Sequence, residues 1–221
     1  MPVDTFTLLF VALCGGGLCF GFWYFSEAQR VKRALAAAPI TAIAQLREGD
    51  TVRVVGALKL GPRTLSSPLS GRPCAVFFVR VREQVGKNSR EIFRESEAVE
   101  FSINDGSGTV LVRPELFSLA LVEDHHERTG LWRDASVEVG EYLLSKGQSA
   151  QTSLGFNRAL QFHEAVLEAG ERVAVLATVR LEPDPEPVAA GDGYRDRPPR
   201  KVLLAPPGGV MLLSDAPETT T

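Results

Sequence analysis

An uncharged stretch of twenty residues, from position 6 to position 25, constrains this chain more than any other feature. A helix rises about 1.5 Å per residue, so twenty residues cover roughly 30 Å, which is the thickness of the hydrocarbon core of a bilayer. Aromatic residues fill positions 22–25, where amphipathic rings favour the headgroup level. We expect a transmembrane helix over residues 6–25, after a short N-terminal flank over residues 1–5.

The flanking charges predict the orientation of this helix. Arg30, Lys32 and Arg33 follow it, whereas the N-terminal flank carries only Asp4. By the positive-inside rule, we expect a single-pass protein with its N-terminus outside and the rest of the chain in the cytoplasm. A cleaved signal peptide is the alternative, but it would have basic residues before the apolar core and small residues at a cleavage site, and both are missing.

Two short features near the membrane suggest contacts with lipid and with a second copy. Gly17 and Gly21 form a GxxxG pair that would let two transmembrane helices approach closely as a homodimer, although glycine is common in membrane helices for other reasons. Residues 26–39 begin with a plausible N-cap, Ser26, and end at Pro39, which predicts a short juxtamembrane helix. Its basic side would lie against membrane lipid headgroups.

Composition places the remainder among folded proteins and excludes two classes of site. Hydrophobic residues make up 44% of the 221 residues, charged residues 23%, and the net charge of −3 gives no general attraction to nucleic acid. Three cysteines are too few for a disulfide framework or a four-cysteine zinc module. An aromatic and basic set in the middle of the chain could still bind single-stranded nucleic acid. Neighbouring glutamates largely cancel its charge, so we do not expect nucleic acid as a partner. The set is Phe78, Arg80, Arg82, Lys87, Arg90 and Arg94.

From residue 40 onward, short apolar runs separated by turn residues predict a mainly β domain. We expect strands over residues 50–60, 75–82 and 171–181, a hairpin over 99–113, and a closing hairpin formed by 201–205 and 210–214. Other segments are expected to be a short helical turn over 115–121, an irregular excursion over 122–155, a Pro-rich loop over 182–200 and a disordered tail over 215–221. Together these segments predict an antiparallel OB-like or barrel-like β domain over residues 40–214.

Four stretches of this domain carry a family resemblance. They read LSGRPCAVFFVRV from residue 69, FSINDGSGTVLVRPE from 101, FHEAVLEAGERVAVLATV from 162 and VLLAPPGGVMLLS from 202. They resemble the GIDE domain, the membrane-flanked β domain of mitochondrial E3 ubiquitin ligases that also occurs in bacterial and archaeal proteins. The residues that match the family's motifs are Pro73, Cys74, Asp105, Gly106, Gly108, Glu164 and Gly170.

The chain departs from the ligases of this family in two respects. A RING needs eight zinc ligands, and no cysteine follows Cys74. The family usually has a second membrane helix after the domain, whereas acidic and hydroxyl residues follow position 214 here. The resemblance therefore implies the fold and a membrane anchor, and it does not imply ligase activity.

Three groups of residues are candidates for chemistry, each with a structural alternative. His125, His126 and Glu127 are potential metal ligands, but adjacent side chains diverge, which favours a solvated turn. His163 and Glu164 could form an acid–base pair, although local pairing of Glu164 is the simpler interpretation. Cys74 could be a reactive thiol, but without a nearby histidine in sequence a small buried hydrophobe is favoured.

These observations favour a membrane-anchored binding or scaffolding module with no catalytic residues and no cofactor. We expect a protein partner to contact the hairpin around residues 104–108 and the excursion around His125. The alternative is a component of a ligase-like or other enzymatic system in which another chain supplies catalysis, or a hydrolase with a site near His163.

Overall fold

The computed structural model describes residues 27–128, 137–147, 159–183 and 199–221. The helices are α1 (27–37), α2 (Val137–Ser145) and α3 (Pro217–Thr220), and a 3-10 turn covers Ile43–Gln45. The strands are β1 (Thr51–Leu60), β2 (Leu65–Ser66), β3 (Pro73–Cys74), β4 (Val76–Val85), β5 (Asn88–Ala98), β6 (Phe101–Asn104), β7 (Thr109–Val112), β8 (Phe117–Ala120), β9 (His125–Arg128), β10 (Leu160–Leu167), β11 (Arg172–Glu182), β12 (Arg200–Leu204) and β13 (Met211–Ser214).

Five strands close into a barrel in the order β1, β6, β7, β12, β11 and back to β1. All neighbours are antiparallel except β7 and β12, which are parallel. Strand β1 closes the barrel because its first part pairs with β11 and its last part with β6. The predicted mainly β, barrel-like domain is therefore confirmed as a closed five-stranded barrel.

Alternation along the strands fills the barrel with apolar side chains. Val52, Val54 and Leu58 of β1 face Phe101 and Ile103 of β6, and all five are buried. This inward face was readable from the valine and leucine spacing of the sequence, and it forms the largest part of the hydrophobic core.

A second layer is built from strands that continue out of the barrel. Strands β5, β4, β10 and β9 form a four-stranded sheet in that order. Only residues 99–100 separate β5 from β6, and only residues 168–171 separate β10 from β11. Helix α2 covers one face of this sheet, where Val139 and Leu143 pack with Val79, Val81 and Phe162.

Helix α1 lies against the outside of the barrel. Its residues Val31 and Leu35, one helical turn apart, are buried in a cluster with Val55 of β1, Ala120 of β8 and Ala174 of β11. The helix predicted over residues 26–39 is thus present over 27–37, and its apolar stripe fixes it to the domain.

The closing hairpin predicted from residues 201–205 and 210–214 is wrong. Strands β12 and β13 do not pair with each other, since both pair antiparallel with the same strand, β11, along successive parts of its length. Strands β12 and β13 therefore lie end to end along one edge of β11, and the loop at 205–210 separates them without reversing the chain direction. Proline and glycine in a loop predict that a strand ends, but they do not say where the next strand pairs.

Residues 115–121 were expected to form a helical turn, and they contain strand β8 instead. This strand pairs in parallel with β13 over four residues. Proline can begin a helix. Phe117 and Leu119, however, both pack against the barrel core, as every second residue of a strand does, and this packing favours the strand.

The segments expected to be irregular over 122–155 and disordered over 215–221 also contain regular structure where they are described. The first includes β9 and α2. The second includes α3, with Thr219 and Thr220 buried, and Arg53 donates hydrogen bonds to the carbonyl oxygens of Thr219 and Thr221. In both segments, packing against the rest of the molecule replaces the stability that the local sequence lacks.

The transmembrane helix predicted over residues 6–25, with Gly17 and Gly21, lies outside the described residues, as does most of the Pro-rich loop at 182–200. Within the part of the chain that the structure describes, no helix has both the length and the apolar character needed to cross a bilayer.

Candidate binding face of the four-stranded sheet

The register of the four-stranded sheet places four basic side chains in one row. Arg94 of β5 lies opposite Arg80 of β4, Arg80 lies opposite His163 of β10, and His163 lies opposite His126 of β9. Alternation puts this row on the face away from α2, because α2 packs on the intervening residues of the same strands. We name these four residues the sheet-face row.

Glu123, from the loop between β8 and β9, joins two members of the row. Arg80 Nη2 lies 2.6 Å from Glu123 Oε1, and His163 Nδ1 lies 2.8 Å from Glu123 Oε2. The hydrogen bond from His163, followed by the charges of His163, Arg80 and His126, lowers the pKa of Glu123 despite its partial burial. Glu123 is therefore a carboxylate, and we assign the Nδ1 hydrogen of His163 to the bond with it.

The other ring nitrogen of His163 is Nε2. Among the described residues, this buried atom has no hydrogen-bonding partner. The ring of His126 stacks on the His163 ring, with centroids 4.5 Å apart and an angle of 25° between the planes. A glutamate that orients a histidine can support proton transfer or hold a ligand that donates a hydrogen bond to Nε2.

The other end of the row meets the start of α1. Arg94 lies 3.9 Å from Glu27, the first described residue of the chain, and 3.8 Å from Glu91. The row is thus balanced by Glu123 and Glu27, which come from outside the sheet, and by Glu91, which belongs to β5.

The predicted metal candidates His125, His126 and Glu127 are not brought together. His125 and Glu127 lie on one side of β9, with 4.0 Å between Nε2 and Oε2, whereas His126 stacks on His163 on the other side. Among the described residues, no group of three or more His, Cys, Asp or Glu side chains is placed to hold a metal ion.

Glu164 and His163 do not form the acid–base pair considered above, because neighbours on a strand point to opposite faces. The Glu164 carboxylate is fully buried and accepts hydrogen bonds from the backbone N–H groups of Leu69 and Ser70, at 2.8 and 3.1 Å, and from Ser70 Oγ at 2.5 Å. Glu164 therefore fixes the turn that leads into β3, which is the local pairing favoured from the sequence.

Pro73 and Cys74 form β3 at the end of this turn. Cys74 is buried, and burial, with the charges of Glu164 and Glu168, raises its pKa to about 11. It is therefore a thiol at neutral pH, in agreement with the interpretation as a small buried hydrophobe. The family-motif residues at 73, 74 and 164 thus meet at the base of the second layer, where they hold the fold.

The Asp-Gly hairpin between β6 and β7 also serves the fold. Asp105 accepts hydrogen bonds from the N–H groups of Ile43, Ser107 and Gly108 at 2.8, 2.8 and 3.1 Å. Burial alone would raise the pKa of Asp105, but these bonds lower it. A Cβ on Gly108 would lie 3.0 Å from Ile43 Cγ2, and Gly106 has a φ of +87° that glycine adopts readily. The hairpin thus holds the 3-10 turn over the barrel, and the expected contact of its tip with a partner stays a prediction.

Gly170 lies in the turn between β10 and β11 with a φ of +88°, and its N–H donates to the carbonyl of Leu58 at 2.8 Å. It therefore joins the two layers at the point where the chain passes from one to the other.

Sequence reasoning missed the central residue of the site, Glu123, and did not connect the members of the row. Arg80 was considered only in the set that could bind single strands and His163 only with Glu164, because nothing in the sequence shows that β4 pairs with β10. Comparison with protein-family models, curated proteins and solved structures gives no match to this chain.

Proposed function

We propose that this protein is a single-pass, membrane-anchored binding or scaffolding module, with its N-terminus outside and its β domain cytoplasmic, of the type that the resemblance to GIDE domains implies. The observation that carries the proposal is the docking of α1. The helix that follows the uncharged stretch is held on the barrel by Val31 and Leu35, which are 3% and 0% exposed. An anchor at residues 6–25 would therefore hold the domain in a fixed orientation against the membrane.

The sheet-face row is the binding surface that supports this function best. It presents basic side chains from four strands, and two of the acids that balance them, Glu27 and Glu123, come from outside the sheet. An acidic segment of a partner protein could replace these acids without disturbing the strands. Binding is favoured over turnover because the Nε2 atom of His163, which a reacting group would have to reach, is buried, whereas binding through the exposed Arg94 does not need that atom.

A ligase-like or other enzymatic system in which a second chain supplies catalysis remains the second candidate, because Glu123 and His163 form an oriented acid–base pair. Substitution of His163 by glutamine separates the two. A binding role tolerates His163→Gln with at most a small loss of partner affinity, whereas an acid–base role loses nearly all activity of the complex.

The anchor is tested by membrane fractionation of the full chain and of a variant that lacks residues 6–25. We expect the full chain to resist carbonate extraction and the variant to become extractable, with a C-terminal reporter in the cytoplasm. A full chain released by carbonate, or a reporter found outside, would refute the proposal.

The binding surface is tested by placing a photocrosslinking amino acid at Ser96, an exposed position beside the row on β5, in native membranes. We expect a protein adduct that is lost when Arg80 and Arg94 are both changed to glutamate. The matched control is the same crosslinker at Leu144, which is exposed on α2. Equal adducts from both positions would show that the row does not select the partner.

We also propose that Gly17 and Gly21 let two anchors pair. Gly17→Ile with Gly21→Ile would then reduce the crosslinked dimer in membranes without changing carbonate resistance.

A further inference from the structure

The barrel face on which α1 lies continues beyond the helix. Phe117 and Leu119 of β8 point into the barrel, as do Met211 and Leu213 of β13. The intervening residues therefore point outward, and two of them, Ala120 and Leu212, pack under α1. By the same alternation, Leu116 and Val210, which directly precede the two strands, lie on this outer face.

Neither of these two side chains is covered in the described structure. Leu116 is 61% exposed and Val210 is 41% exposed. They lie side by side, because the N–H of Met211 donates to the carbonyl of Leu116 at 2.8 Å. The two adjacent aliphatic side chains form a small exposed apolar patch where the two loops enter β8 and β13.

The charges around the pair are few. The loop at 205–210 has none. In the loop at 113–116, Arg113 is engaged by Glu182 and Glu100 at 3.0 and 3.1 Å, so Glu115 is the charge that stays exposed. An exposed acid disfavours contact with anionic lipid, so any lipid contact here must be apolar.

The pair also lies close to the end of the uncharged stretch. Ser118, two residues from Leu116 on the outer face, has its Oγ 3.5 Å from Oε1 of Glu27. The stretch ends two residues before Glu27, and two residues of chain span at most about 8 Å. Glu27, two residues after the end of the uncharged stretch, therefore lies on the same side of the barrel as Leu116 and Val210.

We propose that Leu116 and Val210 insert into the interfacial region of the bilayer that holds residues 6–25, so that the barrel contacts the membrane at the start of β8 and of β13. This inference rests on the proposed function, because it needs the anchor. The apolar face that α1 covers on one side is completed by lipid on the other, and this second contact adds to the orientation that the docked α1 gives the domain.

The test uses the full chain reconstituted into phosphatidylcholine vesicles. Cys14→Ala and Cys19→Ala leave Cys74, which is buried, as the remaining natural thiol. A polarity-sensitive fluorophore is attached at Leu116→Cys or Val210→Cys and, as the matched control, at Leu144→Cys on α2, where the leucine is 70% exposed. Quenching is measured with lipids labelled at shallow and deep acyl positions.

We expect shallow-label quenching at 116 and 210 at least twofold greater than at 144, with little change when anionic lipid is added. In the same vesicles, Trp132→Phe leaves Trp23 as the single tryptophan, whose quenching reports insertion of the anchor. If Trp23 is quenched but 116 and 210 behave like 144, the inference is overturned and the anchor stands. If Trp23 is not quenched, the proposed function fails.

A blue-shifted fluorophore at 116 without lipid quenching would mean that the chain's own residues 22–25 cover the pair. That result also overturns the inference. Strong quenching that appears only when anionic lipid is added would also overturn the inference, since it would show that the contact depends on charge.

Discussion

At the scale of single residues, the fully buried side chain of Glu164 holds a turn of the backbone through hydrogen bonds. Its three hydrogen bonds come from Leu69 and Ser70. Glu164→Ala leaves two backbone N–H groups without an acceptor in a buried site, so we expect a loss of about 2–4 kcal/mol in the free energy of unfolding. Denaturant unfolding followed by circular dichroism measures it, and Glu97→Ala, at an exposed position, should change the value by less than about 0.5 kcal/mol.

The substitution of aspartate by asparagine should have opposite effects on stability at Asp215 and at Asp105. Burial raises the pKa of Asp215 to about 6, whereas hydrogen bonds lower the pKa of Asp105. A raised folded-state pKa means that the stability from Asp215 is fully present below about pH 4 and is lost as the pH rises through about 6. Above pH 6, Asp215→Asn should therefore stabilise the fold by about 1–2 kcal/mol, since an amide oxygen can still accept from the N–H of Val122.

Asp105→Asn should instead destabilise the fold at the same pH, because a depressed pKa gives stability that is present at neutral pH and lost on acidification. Unfolding free energies of both variants between pH 4 and pH 8 check the signs. A stabilising Asp105→Asn, or a pH-independent difference for Asp215→Asn, would contradict the assigned environments.

At the scale of elements, alanine substitutions at two glycines test how closely the strands and helices are packed. A Cβ at Gly56 in β1 would lie 2.5 Å from the carbonyl oxygen of Asn104 and 2.7 Å from Ile103 Cγ2, where the barrel closes. Gly56→Ala must therefore push β1 away from β6, and we expect a loss of more than about 3 kcal/mol. The matched control is Gly140→Ala in α2, where nothing lies within 4 Å, and it should stabilise the helix by about 0.5–1 kcal/mol. Thermal unfolding distinguishes the two signs.

The same scale shows which parts of the fold could be predicted. Alternation over residues 76–82 and the Asp-Gly turn at 104–108 are local patterns, and both elements form where the sequence indicates them. The parallel pairs β7–β12 and β8–β13 join residues about ninety positions apart, and no local pattern encodes such a partner. The segment at 115–121 was misassigned for this reason, because its strand exists only beside β13.

Prediction of the candidate site was limited for the same reason, because local sequence patterns do not show which distant strands pair. The outward direction of Arg80 followed from strand alternation, and the histidines were visible by type. Their convergence on Glu123 depends on the register between β4, β10 and β9, which is set by packing in the second layer. Residue type therefore predicted candidates, and only tertiary structure selected among them.

At the scale of the whole molecule, the two layers share continuous backbone and should unfold together. Cys74 lies at their junction, where the N–H of Ala75 donates to Leu167 and the N–H of Val99 donates to Ala75. Its thiol is 0% exposed and its pKa is raised to about 11, so the native protein should be unreactive at neutral pH. In the Cys14→Ala, Cys19→Ala background, we expect the labelling rate of Cys74 to rise with denaturant in parallel with global unfolding.

This expectation follows from where the core clusters meet. Barrel residues such as Leu167 and Ala98 belong to strands of the second layer, so the four-stranded sheet cannot separate without opening the barrel core. A Cys74 that is labelled in a separate phase at low denaturant, before circular dichroism changes, would show instead that the second layer opens on its own. Glu164→Ala should lower the denaturant midpoints of Cys74 labelling and of circular dichroism by the same amount, because it releases the turn that precedes β3 and so weakens the single cooperative unit.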